Sequence, residues 1–225
     1  MELCAGFTSQ QWRTELRPYL DADNPAMWEK AIGLFERRMR ERFFRCIEAL
    51  LKTDEAGTED EMIRPGFSIM ALCCLLVETL QSFYEGGRNR GTGVAPEQCT
   101  YPTGRCAKEP STTRAFKDFL KKSPYFKGDF RNSEICGDFA TNVRNALLHE
   151  AETRGGWLIT RTVPAQQILL HSKDGYMLNR TNFYQALHKE FDNYLAELHD
   201  ASQDWRRKNF LKKMDSICDT EPGIE

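Results

Sequence analysis

The sequence predicts a mainly α protein, an antiparallel helical bundle carrying a small antiparallel β insert near residues 157–178. Three observations predict it. Apolar residues recur at 3–4 spacing along most of the chain. One segment, Gly66–Glu85, is apolar nearly all round, which marks a central buried helix. Period-2 alternation is confined to a short region after Gly155-Gly156. The whole of 1–225 is read as one domain, long enough for a sizeable core.

Each element has its own justification. Residues 1–24 are mixed and hold one short helix around Ser9–Leu20, with Ser9 as a cap. Pro25 then sits where helices start. The first long helix is placed at 25–52: Trp28, Ile32, Phe35, Met39, Phe43, Ile47 and Leu50 share one stripe. Its polar face carries Arg37, Arg38, Arg40, Arg42 and Arg45, interleaved with Glu36 and Glu41. That face reads either as a solvated charged surface or, through Arg38 and Arg42, as part of a track for an RNA backbone. Thr53–Pro65 is acidic and lacks period, so it is a loop. The apolar helix follows at 67–85, interrupted by Glu78. A carboxylate there is costly unless it reaches water or a partner; the partner candidates are Arg144 and His149.

Gly86–Pro110 is punctuated by Gly and Pro and reads as a long irregular loop. Its Arg88 and Arg90 are candidate RNA contacts or solvated charges. A short helix at 111–122 turns Phe116, Phe119 and Leu120 inward, capped by Ser111 or Thr112. Pro124 breaks the chain before a helix at 131–153, which Gly155-Gly156 ends. Trp157–Val163 and Gln167–His171 alternate, and Lys173-Asp174-Gly175 is a turn before Tyr176–Leu178. An amphipathic helix at 181–200 carries Phe183, Leu187, Phe191, Tyr194, Leu195 and Leu198. The last helix, 204–217, sets Trp205, Phe210, Leu211 and Met214 on one side and is otherwise basic.

Composition narrows the function classes. At 40% hydrophobic and 28% charged residues the chain reads as a globular protein. The longest apolar run, Ile69–Val77, is too short to span a bilayer, so no membrane partner is expected. Met1-Glu2 opens without a basic and apolar leader, so a cytoplasmic location is expected. The net charge of -2 requires any RNA footprint to be local. Of the eight cysteines, Cys46, Cys73, Cys74 and Cys136 lie in apolar helical patterns and read as buried thiols. Cys99 and Cys106 lack the paired ligands of a zinc site. His171, His188 and His199 have no metal-pair spacing and read as structural or surface groups. No metal and no cofactor is called for.

The candidate site lies on Asp138–Glu152. Phe139, Val143, Ala146 and Leu147 form its core stripe. The opposite side carries Thr141, Arg144, Asn145, Leu148 and Glu152, with His149 at its edge. In an ideal helix Arg144 and His149 stand roughly 140° apart, with Leu148 between them. An apolar residue among polar groups, opposite the core, suggests that something covers that face.

The spelling Arg144-Asn145-x-x-x-His149 resembles the signature of the HEPN superfamily (higher eukaryotes and prokaryotes nucleotide-binding), small helical bundles many of which are metal-independent RNases. The long Arg-bearing first helix, the apolar second helix and the motif helix before a β insert also resemble uncharacterised bacterial HEPN-type proteins, over roughly residues 28–200. The insert departs from a minimal bundle. The resemblance implies a homodimer that joins two signature helices at a cleft, with Leu148 in the covered face. It implies RNA cleavage to 2′,3′-cyclic phosphate and 5′-hydroxyl ends, and often a toxin or phage-defence role with an antitoxin or regulatory partner.

The chemistry suits these residues. Attack of a 2′-OH on the adjacent phosphate needs a base, an acid for the leaving 5′-oxygen and positive charge at the phosphate. Histidine serves as base or acid, and Arg forks onto phosphate oxygens. Asn145, one turn before His149, is placed to orient its ring or to bind RNA. Glu78 and Glu150 are the supporting candidates, although Glu150 and Glu152 also offer Arg144 an ordinary surface pair. A histidine ending a helix also suits the negative end of its dipole. The alternative function is a non-catalytic dimeric module binding RNA, nucleotide or a protein partner, with a purely structural partner role behind it.

Overall fold

The structure, a computed structural model, describes residues 1–20, 24–55, 65–87, 112–161 and 167–219. It is mainly helical, as the periodicity predicts. It opens, however, with a small antiparallel hairpin that the sequence reading lacks, β1 (Glu2–Cys4) with β2 (Phe7–Thr8). The cap of the following turn, α1 (Ser9–Gln11), is Thr8 rather than Ser9, in a reciprocal box with Gln11. The chain continues through a π turn at Trp12–Leu16 and a 3-10 turn at Arg17–Tyr19.

The first long helix is two α segments, α2 (Pro25–Met39) and α3 (Arg45–Glu55), joined by a π turn at Arg40–Phe44. Asn24 caps its start. A π turn holds one extra residue, so it rotates everything beyond it. Trp28, Ile32, Phe35, Met39 and Ile47 are buried as expected, but Phe44 and Leu51 are buried where Phe43 and Leu50 were expected, and those two are only partly buried. The extra residue is visible in the spacing of five from Met39 to Phe44.

α4 (Gly66–Glu85) is the central helix, touching α3, α5, α8 and α9. By length and composition it is apolar enough to cross a membrane, yet half of its most apolar stretch is buried within this fold. Around it stand α5 (Thr112–Lys122), the signature helix, α8 (Arg180–His199) and α9 (Asp204–Cys218). Phe35 is a hub of the core, with its ring centroid 4.5 Å from Phe83, 5.4 Å from Phe210 and 5.8 Å from both Phe191 and Tyr194. A second aromatic group, Phe126, Phe130, Phe139 and Phe183, seats the signature helix.

The β insert is present at the expected place but is mixed, not antiparallel. Strand order is β3 (Trp157–Thr160), β5 (Gly175–Asn179), β4 (Leu169–Ser172). β4 pairs antiparallel with β5, whereas β3 pairs parallel with it, Trp157 opposite Tyr176. Alternation reveals strands but not their lanes. The lane is decided by contact: Trp157 stacks on Tyr176 with ring centroids 4.6 Å apart. The backbones meet where Gly156 and Gly175, both at positive φ, leave no room for a Cβ on either.

α9 also differs from expectation. Phe210, Leu211 and Met214 are buried, but Trp205 is 54% exposed and Arg206 and Arg207 are buried instead. One turn separates Arg206 from Phe210 and Arg207 from Leu211, so the two arginines share the apolar face. Each lies over an aromatic ring, Arg206 over Tyr84 at 4.1 Å and Arg207 over Trp28 at 4.5 Å.

Candidate functional site

The signature helix is built from α6 (Ser133–Phe139), a π turn at Ala140–Asn145 and α7 (Ala146–Glu150). Its core stripe is as expected: Phe139, Val143, Ala146 and Leu147 are buried. It ends earlier than 153. Ala151 closes it in the left-handed conformation at φ 56°, ahead of the Gly155-Gly156 pair that the sequence suggested as the stop. Beyond the helix end, Arg154 N–H donates to the Asn142 carbonyl within the π turn at 2.8 Å.

Arg144 sits at the end of the π turn and reaches across to α4. Its Nε donates to Glu78 Oε1 at 2.6 Å, with the two side chains 15% and 22% exposed. Glu78 therefore pairs with the bundle's motif arginine. The pair also acts on its surroundings: burial, then the Glu78 charge, pushes the neighbouring Cys74 thiol far up, and Arg144 partly offsets this. Arg144 Nη1 also donates to Asn145 Oδ1 at 2.9 Å. Asn145 thus braces Arg144 rather than the His149 ring. The other guanidinium N–H groups have no partner among the described residues and remain available to an anion.

His149 is exposed one turn beyond Asn145, and no described residue bonds its ring. Leu148 beside it is 36% exposed. Glu150 pairs with Arg154, so it is engaged away from Arg144. The structure thus brings Arg144, Asn145 and Glu78 together, leaves His149 open at the edge and sets Glu150 apart.

The RNA-contact candidates fare differently. Arg38 Nη1 donates to the Leu3 carbonyl at 2.6 Å and Arg42 Nη2 to the Glu2 carbonyl at 3.2 Å. Arg37 contacts Cys4 Sγ at 3.2 Å, and Arg40 pairs with Glu36 at 2.8 Å. Burial, then the nearby Arg42, lowers the Arg38 pKa. The arginine face of the first long helix is thus largely spent on holding the N-terminal hairpin. Arg88, Arg90, Cys99 and Cys106 lie outside the described residues. Cys46 is exposed, contrary to expectation, while Cys73, Cys74 and Cys136 are buried. His171 stacks on Tyr176, His188 bonds Asp192 and His199 bonds Glu29. Among the described residues no group of three or more His, Cys, Asp or Glu is placed to hold a metal ion.

Two contributors escaped the sequence reading. Leu75, one turn before Glu78, is 38% exposed, so a second leucine lies one turn from the Glu78–Arg144 pair, as Leu148 does. A helix apolar all round conceals which of its leucines faces outward. Asp138 accepts from Asn142 Nδ2 at 2.7 Å and from Trp157 Nε1 at 2.6 Å, which locks the motif helix to the β insert. Its partner in a strand 19 residues on leaves no local signal.

Comparison of the chain with protein-family models, with curated proteins and with solved structures finds no match.

Proposed function

We propose that this protein is a HEPN-type endoribonuclease acting as a homodimer in the cytoplasm, with Arg144 and His149 of two copies sharing one RNA strand. The observation that carries this reading is the charge frame on the signature helix. Arg144 is held by Glu78 and Asn145, and His149 stands exposed five residues on; among the described residues its ring has no bonding partner and Arg144 keeps N–H groups to spare.

In this mechanism one His149 takes the proton of the RNA 2′-OH, and the oxygen attacks the adjacent phosphorus. The bond to the 5′-oxygen breaks, and the second His149 protonates that oxygen. Arg144 stabilises the charge that builds on the phosphoryl oxygens. The products are a 2′,3′-cyclic phosphate and a 5′-hydroxyl. Side chains supply acid, base and positive charge, so the sequence of steps calls on no metal. One protomer holds a single such histidine, and the exposed Leu148 and Leu75 give a second copy an apolar seat. A toxin or phage-defence effector is the biological role proposed, with an antitoxin or other regulator as partner.

The test is cleavage of single-stranded RNA in EDTA. The wild type is expected to cut, and His149→Ala to lose cleavage while keeping its stability within about 0.5 kcal/mol, because the ring is exposed and no described residue bonds it. Equal activity in the variant, or strict dependence on added metal, removes His149 from the chemistry. One observation favours a second reading, a non-catalytic dimeric module binding RNA, nucleotide or protein: Arg38 and Arg42 are committed to the hairpin, which thins the basic surface. RNA binding without cleavage selects it.

A further inference from the structure

A cavity of about 240 Å³ opens one turn beyond Glu78 on α4, between α5, α8 and α9. Tyr84 and Phe119 give it aromatic surface, Ser123 and Glu190 also line it, and Trp205 and Arg206 line it from α9. Glu190 is 4% exposed. Its carboxylate accepts from Tyr84 Oη and Ser123 Oγ, each at 2.6 Å. Such lengths are those of hydroxyls on an ionised oxygen. Both donors are neutral, and no cation among the described residues is within ion-pair reach of Glu190.

The nearby cations are already engaged. Arg206 donates to Glu197 at 2.5 Å and is stacked between Tyr84 and Trp205, 4.1 and 4.0 Å from their rings. Lys122 pairs with Asp118 at 3.7 Å. The lining thus holds Glu85, Glu190 and Glu197 against Lys122 and Arg206, three negative charges to two positive. Glu190 is the most deeply buried of these carboxylates, and the two groups that bond it are neutral hydroxyls. Isolated buried charge is expensive, so a fold that keeps one facing a cavity carries a cost that a bound cation removes.

We propose that this cavity binds a small organic ammonium ion, its nitrogen on Glu190 and its carbon skeleton against Tyr84 and Phe119. The carboxylate has acceptor positions left beyond the two hydroxyls. The aromatic surface favours a cation with apolar substituents over a hydrated metal ion. The volume suits a free small molecule.

Trp205 is the exposed tryptophan, whereas Trp12, Trp28 and Trp157 are buried, so quenching of fluorescence reports at the cavity. The probe is benzylammonium chloride, with benzyl alcohol and sodium benzoate as neutral and anionic isosteres at constant ionic strength. Benzylammonium is expected to bind saturably, at least about tenfold tighter than benzyl alcohol, and benzoate not at all. Glu190→Gln is expected to bring the two binding probes within about twofold of each other and to keep or raise Tm. No saturable benzylammonium binding, equal binding to wild type and Glu190→Gln, or a variant that loses Tm or does not fold would overturn the proposal, since the charge would then be structural. No RNA enters this assay, so its outcome is independent of the ribonuclease reading.

Discussion

Breaking the Glu78–Arg144 pair measures whether the charge frame of the site is built into the fold. Exposed ion pairs contribute about 0–1 kcal/mol, while removing one partner of a fully buried pair costs about 3–5 kcal/mol. Arg144 and Glu78, 15% and 22% exposed and 2.6 Å apart, fall between these limits. Glu78→Gln keeps the shape and an acceptor, so it is expected to cost ~1.5 kcal/mol, the lower range for a hydrogen bond to a charged group. Arg144→Met leaves Glu78 without its cation and is expected to cost ~2 kcal/mol, or a fall of roughly 4–8 °C in Tm for a chain of this size. The decisive quantity is the coupling in the double-mutant cycle, expected near 1.5 kcal/mol from urea unfolding. A coupling under about 0.5 kcal/mol would show a pair that behaves as if solvated. Arg144 would then be held by Asn145 alone, with no anchor on α4, and the reasoning from pairing to a prepared phosphate site would fail.

Three further outcomes are expected. Leu148→Asp should yield monomers by light scattering and lose RNA cleavage with Arg144 and His149 intact, because it sets two like charges in an apolar contact; a variant that stays dimeric removes the signature helix from the dimer seam. Ala151→Gly should raise stability by about 1 kcal/mol in urea unfolding, since alanine at φ 56° carries a left-handed penalty that glycine does not; an unchanged midpoint would refute strain at this cap. Maleimide labelling at pH 8, read by peptide mass spectrometry, should modify Cys46 well before Cys73, Cys136 or Cys218. Burial pushes Cys136 up to about 11 and Cys218 up to about 12 and raises Cys73 as well, so the thiolate is scarce at each; comparable rates would refute their enclosure.

By itself the sequence determined the helical class, the central place of the Gly66–Glu85 helix and the two faces of the signature helix. Phe139, Val143 and Leu147 are buried and Leu148 and His149 exposed, as their spacing requires. Periodicity is a local property: it says which side of a helix is apolar, and burial follows. Tertiary structure decided what the polar groups touch. Glu78 and Arg144 are 66 residues apart, and either a partner or solvent satisfied the local reading of Glu78. Arg38 and Arg42 looked free until the N-terminal hairpin supplied carbonyls 35 and 40 residues away. The π turn at Arg40–Phe44 moved burial from Phe43 and Leu50 to Phe44 and Leu51, a change of one residue that an ideal helical period conceals. The lane of β3 rested on the Gly156–Gly175 approach, and the burial of Arg206 on rings from α4 and α9. A long charged side chain ends several ångströms from its own backbone, so its partner is chosen by neighbours in space that sequence spacing does not encode.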